Sequence, residues 1–155
     1  LFGGGFALAQ GFRETGLSEY TGVQFAGLEG VPPYLLNAPT CGGLTSLTEL
    51  TSNTATTEMI LPILASVAVA IKTNPLLLMI PATLSASCAF MMPVATPPNT
   101  IIFGSGRITI AEMARVGIII NLIGVLVISV VFYLLGTAVL DIDPAGLPAW
   151  AVTGG

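Results

Sequence analysis

Polar positions in this chain fall in clusters between long apolar runs. Residues 116–140 contain 25 positions without a charge, bounded by Arg115 and Asp141. About 20 such residues suffice to cross the hydrocarbon core of a bilayer, so 107–140 predicts a final transmembrane helix with a short lead-in carrying Arg107 and Arg115. Basic residues before it and Asp141 and Asp143 after it place the lead-in in the cytoplasm and the tail, 141–155, outside. A second uncharged run covers 73–106 but carries Pro75, Pro81, Pro93 and the sequence ATPPN at 95–99. Pro97 and Pro98 remove two backbone donors, so this run predicts a transmembrane helix broken near Ala95–Asn99.

Two shorter apolar runs, 30–48 and 59–71, flank the polar sequence TELTSNTATTE at 48–58. The second has 13 residues and reaches about 20 Å as a helix, short of a core of about 30 Å. Residues 30–72 therefore predict a re-entrant hairpin with the hydroxyl-rich cluster at its tip. The opening LFGGGFALAQGF, 1–12, predicts the end of a transmembrane helix. Residues 13–29 mix charges with Leu17, Tyr20, Val23 and Phe25, the pattern of a short amphipathic helix lying in the interface.

Composition supports this reading. Only 8% of residues are charged and 54% are hydrophobic, which belongs to membrane proteins rather than soluble domains. The 18 Gly and 11 Pro then read as helix interruptions, which bundles tolerate where neighbours re-satisfy the backbone. There is no His, which removes imidazole bases and His-ligated metals from this segment, and a net charge of −4 without a basic patch removes nucleic acid as a partner. Cys41 and Cys88 lie in apolar or small-residue surroundings and read as free buried thiols. The first residue is Leu1 with no basic leader, which predicts a piece of a longer protein rather than a signal peptide.

Two broken elements bring free carbonyls and helix N-termini to membrane depth, where irregular backbone survives only if it lines a cavity or is buried in protein. Such discontinuous helices mark the substrate and ion site of a transporter. Ser, Thr and Asn offer oxygen to a hard cation and donors to an anion. Lys72 and Arg107 are 18 and eight residues beyond Thr54 and Asn99, so a doubly charged anion would rely on helix N-termini, hydroxyls, amides and bound cations. The same residue types also serve as helix contacts at Thr56, Thr57, Ser66, Ser85 and Ser87, and as N-caps at Ser52 and Asn53. Glu49 and Glu58 are costly in a membrane and are functional candidates, although Glu58 also suits a helix start. A channel filter built on the hydroxyl cluster, or an intramembrane hydrolase using Ser52 or Thr54, are the rival classes. The expectation is a protein that is not an enzyme.

The segments LFGGGFALA, VPP, TELTSNTATT, LPILAS, NPLLLMIPATLSASCAFMMPVATPPNTIIF and LPAW, in this order, resemble the divalent anion/sodium symporter family, the sodium-coupled di- and tricarboxylate cotransporters. The resemblance covers essentially the whole chain and matches the C-terminal part. It implies an all-α polytopic membrane segment, the second half of an inverted-repeat transporter with a re-entrant hairpin and a proline-broken helix. The N-terminal half would be missing. It further implies a multi-pass protein of the plasma membrane, a homodimer, moving succinate, citrate and related acids with sodium. A sodium-coupled carrier of sulfate or another divalent anion is the alternative.

Carried onto this chain, the resemblance makes Ser52, Asn53, Thr54, Thr96 and Pro97 substrate contacts. It makes Thr48, Thr51, Asn53 and Ala95 sodium ligands, several through backbone carbonyls. Thr at 54 and 96, where the sulfate branch tends to have Pro and Asn, favours carboxylates. The chain departs from the family at 33–44, whose Asn37, Pro39, Gly42 and Gly43 disfavour a regular first arm. It departs also at Glu58, where small or apolar residues are usual, and at AWAVTGG, which lacks an Asn-x-Thr glycosylation signal.

Overall fold

The computed structural model describes residues 2–25, 27, 31–143 and 146–153, and among them there is helix but no strand. Residue 1 of the expected transmembrane helix end, residues 26 and 28–29 of the expected interfacial helix, residue 30 of the expected hairpin, and residues 144–145 and 154–155 of the expected tail lie outside the described residues. The elements run α1 (Phe2–Glu14), α2 (Leu17–Gln24), α3 (Pro33–Thr48), α4 (Asn53–Ala70), α5 (Leu76–Ala86), α6 (Pro97–Gly104), α7 (Ile110–Val131), α8 (Thr137–Val139) and α9 (Ala149–Thr153). A π-helical turn, Phe132–Gly136, joins α7 to α8.

Sequence explains the first boundary. Gly16 adopts a φ of 69°, a conformation that glycine takes without a Cβ penalty, and this ends α1 and starts α2. Arg13 and Glu14 thus belong to α1 and do not open the second helix. Both α1 and α2 pack on α4. Gly22 makes the α2 contact close, since a Cβ there would stand 2.9 Å from the carbonyl oxygen of Ser66.

The central element is α5, which packs against α3, α4 and α7. Its Leu77, Leu78, Pro81, Ala82, Ser85 and Ala86 are buried. Ala82 and Ala86 meet Leu44 of α3 and Leu64 of α4, while Leu78 meets Ala68 and Ile71. Leu77 meets Phe132 in the π turn and Ile142. Small residues on α5 let three helices approach it closely, as membrane bundles require in the absence of a hydrophobic drive.

Among the described residues two helices are long and apolar enough to cross a membrane, Asn53–Ala70 and the continuous 30-residue Ile110–Val139. The short second arm expected from the sequence is therefore corrected. Helix α4 starts at Asn53 and takes the polar cluster into its first turns, giving 18 residues and about 27 Å. Polar residues stay helical because their hydroxyls fold back, as Thr57 does onto the carbonyl of Asn53 at 2.7 Å. Residues 33–44 form a regular helix despite Pro39, held by packing on α5 and α7.

Pro97 and Pro98 also behave differently from the expectation. They occupy the first positions of α6, where a missing N–H costs nothing and the fixed φ suits a helix start. The irregular stretch lies just upstream, between the end of α5 at Ala86 and Pro97.

Candidate substrate and ion site

Residues 49–52 form the tight turn between α3 and α4, and residues 87–96 form the irregular stretch between α5 and α6. Glu49 fastens them together. Its carboxylate is buried and accepts both the Met91 N–H, at 3.0 Å to each oxygen, and the Met92 N–H, at 2.9 Å. The amide of Asn121, from the middle of α7, donates to the same carboxylate at 2.6 Å. The carbonyl oxygen of Asn121 accepts the Phe90 N–H at 3.2 Å. Three consecutive backbone donors in the irregular stretch are thus satisfied by two side chains, which is the condition for irregular backbone in a dry site. Every partner of Glu49 in this cluster is an N–H donor, the complement of a carboxylate that only accepts.

The far end of the break is closed by Asn99 and Thr100. Asn99 is buried and donates its amide to the carbonyls of Ala89 at 2.8 Å and Met92 at 3.0 Å. Thr100 donates its hydroxyl to the carbonyl of Pro93 at 2.6 Å. Thr96 caps α6, its hydroxyl accepting the Asn99 N–H at 3.4 Å. Ala95 is half-buried, its N–H closing a turn onto Met92 at 3.2 Å, and Pro97 is exposed.

At the tip, Ser52 sits at the N-cap position of α4 but makes no capping bond with its side chain. The capping role considered for it is therefore absent, and its half-buried hydroxyl is not engaged at the helix start. Asn53 opens the helix, and its side-chain Oδ1 is buried without a hydrogen-bond partner. Thr54 is exposed. Thr51 donates to the carbonyl of Leu47 at 2.7 Å and lies 2.6 Å from the hydroxyl of Thr56. Thr48 is fully buried and donates to the carbonyl of Thr45 at 3.0 Å. Thr45 in turn donates to the carbonyl of Ser85 at 3.0 Å, tying α3 to α5. Glu58 lies in the second turn of α4, and one of its carboxylate oxygens is buried without a bond.

The structure therefore brings the two motifs together through Glu49, three residues before Ser52, and Met92, four before Thr96. No direct bond joins the Ser52–Thr54 side chains to Thr96 or Pro97 among those described. Asn99, Asn121 and the role of Glu49 were not singled out by the sequence. Asn121 had a signal, being a carboxamide inside a 25-residue uncharged run, where a polar side chain faces the bundle interior.

A buried carboxamide oxygen without a donor at the start of α4, beside an irregular stretch held by side chains, is a place where a ligand can bind. Comparison with known proteins agrees. The family model for the sodium:sulfate symporter transmembrane region matches residues 1–141. The chain is 52% identical over 143 residues to the sodium-dependent dicarboxylate transporter SdcS of Staphylococcus saprophyticus, covering 92% of this chain and 28% of that relative. It is 53% identical over 143 residues to the same-named transporters of two Staphylococcus aureus strains, MRSA252 and USA300, with the same shares. The chain belongs to the sodium:sulfate symporter family. It spans 28% of the length of these relatives.

Proposed function

We propose that the protein containing this chain is a multi-pass plasma-membrane symporter that moves di- and tricarboxylates, succinate and citrate among them, together with sodium. In this reading the chain is the second half of an inverted repeat, α3 and α4 are the arms of a re-entrant hairpin, and α5 and α6 are one helix broken at 87–96. The missing N-terminal half supplies the symmetry-related set, and the working unit is a homodimer. Substrate is held by Ser52, Asn53, Thr54, Thr96 and Pro97. Sodium is held by Thr48, Thr51, Asn53 and Ala95.

One observation carries this reading, the buried and unbonded Oδ1 of Asn53 at the N-terminus of α4. A buried carboxamide oxygen without a donor costs about 1–3 kcal/mol, which a ligand recovers on binding. Neutral oxygens of Asn, Ser and Thr are the donor set of a hard cation. A carboxylate suits the unengaged Ser52 hydroxyl and the N–H groups of the helix start. The names of the relatives support dicarboxylate as the anion, and Thr at 54 and 96 supports it over sulfate.

The test is uptake by the full-length protein in proteoliposomes under an inward sodium gradient, with labelled succinate, citrate and sulfate compared. Saturable, sodium-dependent uptake of the carboxylates supports the reading. Preference for sulfate, or conductance steps persisting without a substrate gradient, contradicts it.

A further inference from the structure

We infer that Asn121, seated by Gly117, is a positioning residue of this transporter: it sets the spacing between the Thr51–Asn53 turn and the break before α6, and through that spacing the affinity for both sodium and the anion. The inference rests on the site proposed above and adds to it a residue that touches neither ligand.

Helix α7 presents small residues to the break. Gly117 is buried, and a Cβ at that position would collide with the carbonyl of Phe90 and the Cα of Met91. Gly124, two turns further, leaves a Cβ position 3.5 Å from the sulfur of Cys88. Between them lies Asn121. Contact this close places its carboxamide within reach of two partners on different elements, the Phe90 N–H and the Glu49 carboxylate. One amide plane thus fixes the break with its acceptor and the tip with its donor. Losing the carboxamide at 121 frees both the Phe90 N–H and the Glu49 carboxylate from α7, so that Glu49 alone spans tip and break through Met91 and Met92 and the spacing between them loosens. The unusual element is the reach, because a donor and an acceptor on one rigid group are both used at depths where water is scarce.

The bonding pattern permits a swap. Glu49→Gln alone turns an NH2 group toward the NH2 of Asn121, a donor facing a donor. Asn121→Asp alone sets two carboxylates against each other. Combining Glu49→Gln with Asn121→Asp restores every bond but one, the second contact of the Met91 N–H, to Oε1. The new amide at position 49 accepts from Met91 and Met92 through its oxygen and donates its NH2 to the new carboxylate at position 121, whose second oxygen accepts from Phe90.

The experiment measures KM and Vmax for succinate, and KM for sodium, in proteoliposomes of the full-length wild type, both single variants and the double. Vmax is normalised to folded protein, and the sodium-induced shift in melting temperature is recorded in parallel. Each single variant is expected to raise both KM values roughly tenfold or more, with Vmax per folded protein within about threefold, because a charged hydrogen bond is lost. The double variant is expected to return both to within about threefold of wild type, since its pairing again matches donor to acceptor. Unchanged KM in the singles overturns the inference. A folded double variant as weak as Glu49→Gln also overturns it, since the carboxylate at 49 then acts by itself. Should the singles not accumulate, Asn121→Ser replaces them, and a wild-type sodium KM in that variant overturns the inference equally. Failure of the proposed function is read separately: if the wild type carries sulfate and not succinate, that reading falls while the swap is scored with sulfate and with the sodium-induced melting shift.

Discussion

Asn99 donates its side-chain amide to the carbonyl of Ala89 at 2.8 Å, folding the irregular stretch back onto the first turn of α6. A second bond to the Met92 carbonyl at 3.0 Å completes the closure. The Ala89 carbonyl would otherwise lack this donor, and the Met92 carbonyl would keep only the Ala95 N–H. Asn99→Ala should therefore lower the stability of the full-length protein by about 1–3 kcal/mol. Asn99→Asp should do so more strongly, since it offers acceptors where donors are needed. Thermal unfolding in detergent checks both, and a melting temperature equal to wild type for Asn99→Asp would show that the loop is held otherwise.

Gly117 and Gly124 make a matched pair on α7. Gly117→Ala should push α7 off the Phe90–Met91 backbone, at a cost typical of overpacking, about 1–3 kcal/mol. Gly124→Ala meets the Cys88 sulfur at an ordinary contact distance and gains helix propensity, so it should be neutral or slightly stabilising. The measurement is the melting temperature of the two variants side by side. Equal effects would contradict the close seating at Gly117.

Thr96 caps α6 at the edge of the break, where its hydroxyl stands at the helix start on which the anion is proposed to rest. Thr96→Asn should depress succinate uptake more than protein abundance and raise sulfate uptake relative to succinate. Competition of labelled succinate by both anions reads the ratio, and an unchanged ratio removes Thr96 from the site.

The 155 residues alone should not transport, because in the proposed inverted repeat they supply one of the two sets of broken elements that alternating access requires. Saturable succinate uptake into sodium-gradient vesicles carrying only this piece would refute the inverted-repeat reading.

Much of this was legible in the sequence, and the omissions have physical causes. The apolar run at 116–140 announced α7, since nothing but a helix satisfies its backbone at that hydropathy. The prolines announced an interruption in the uncharged run 73–106 but not its position, because Pro97 and Pro98 lack N–H groups that a first turn does not need. The start of α4 was hidden by its hydroxyls, which bond to carbonyls one turn back and so remain inside the helix. Pro39, Gly42 and Gly43 suggested an irregular arm, yet α5 and α7 supply the packing that local propensity withholds. The Glu49 node was beyond reach, as its partners lie 42, 43 and 72 residues away and only the tertiary fold unites them. Its cost in a membrane was visible, its purpose was not.

That node also sharpens the charge balance at the site. A dicarboxylate brings about two negative charges to a turn that already holds the Glu49 carboxylate, and the N-termini of α4 and α6 offset only about one charge between them. Lys72 stands at the opposite end of α4, about 27 Å from Asn53. Leaving this excess unpaired at depth would cost several kcal/mol, so sodium must bind before or with the anion, and by reciprocity the anion tightens sodium to the same degree. The most direct test is the affinity of the purified full-length protein for succinate in sodium and in choline at equal ionic strength, repeated with Asn53→Ala. The account predicts affinity at least roughly tenfold higher in sodium, with most of that gain lost in Asn53→Ala. Equal affinity in the two salts would contradict it.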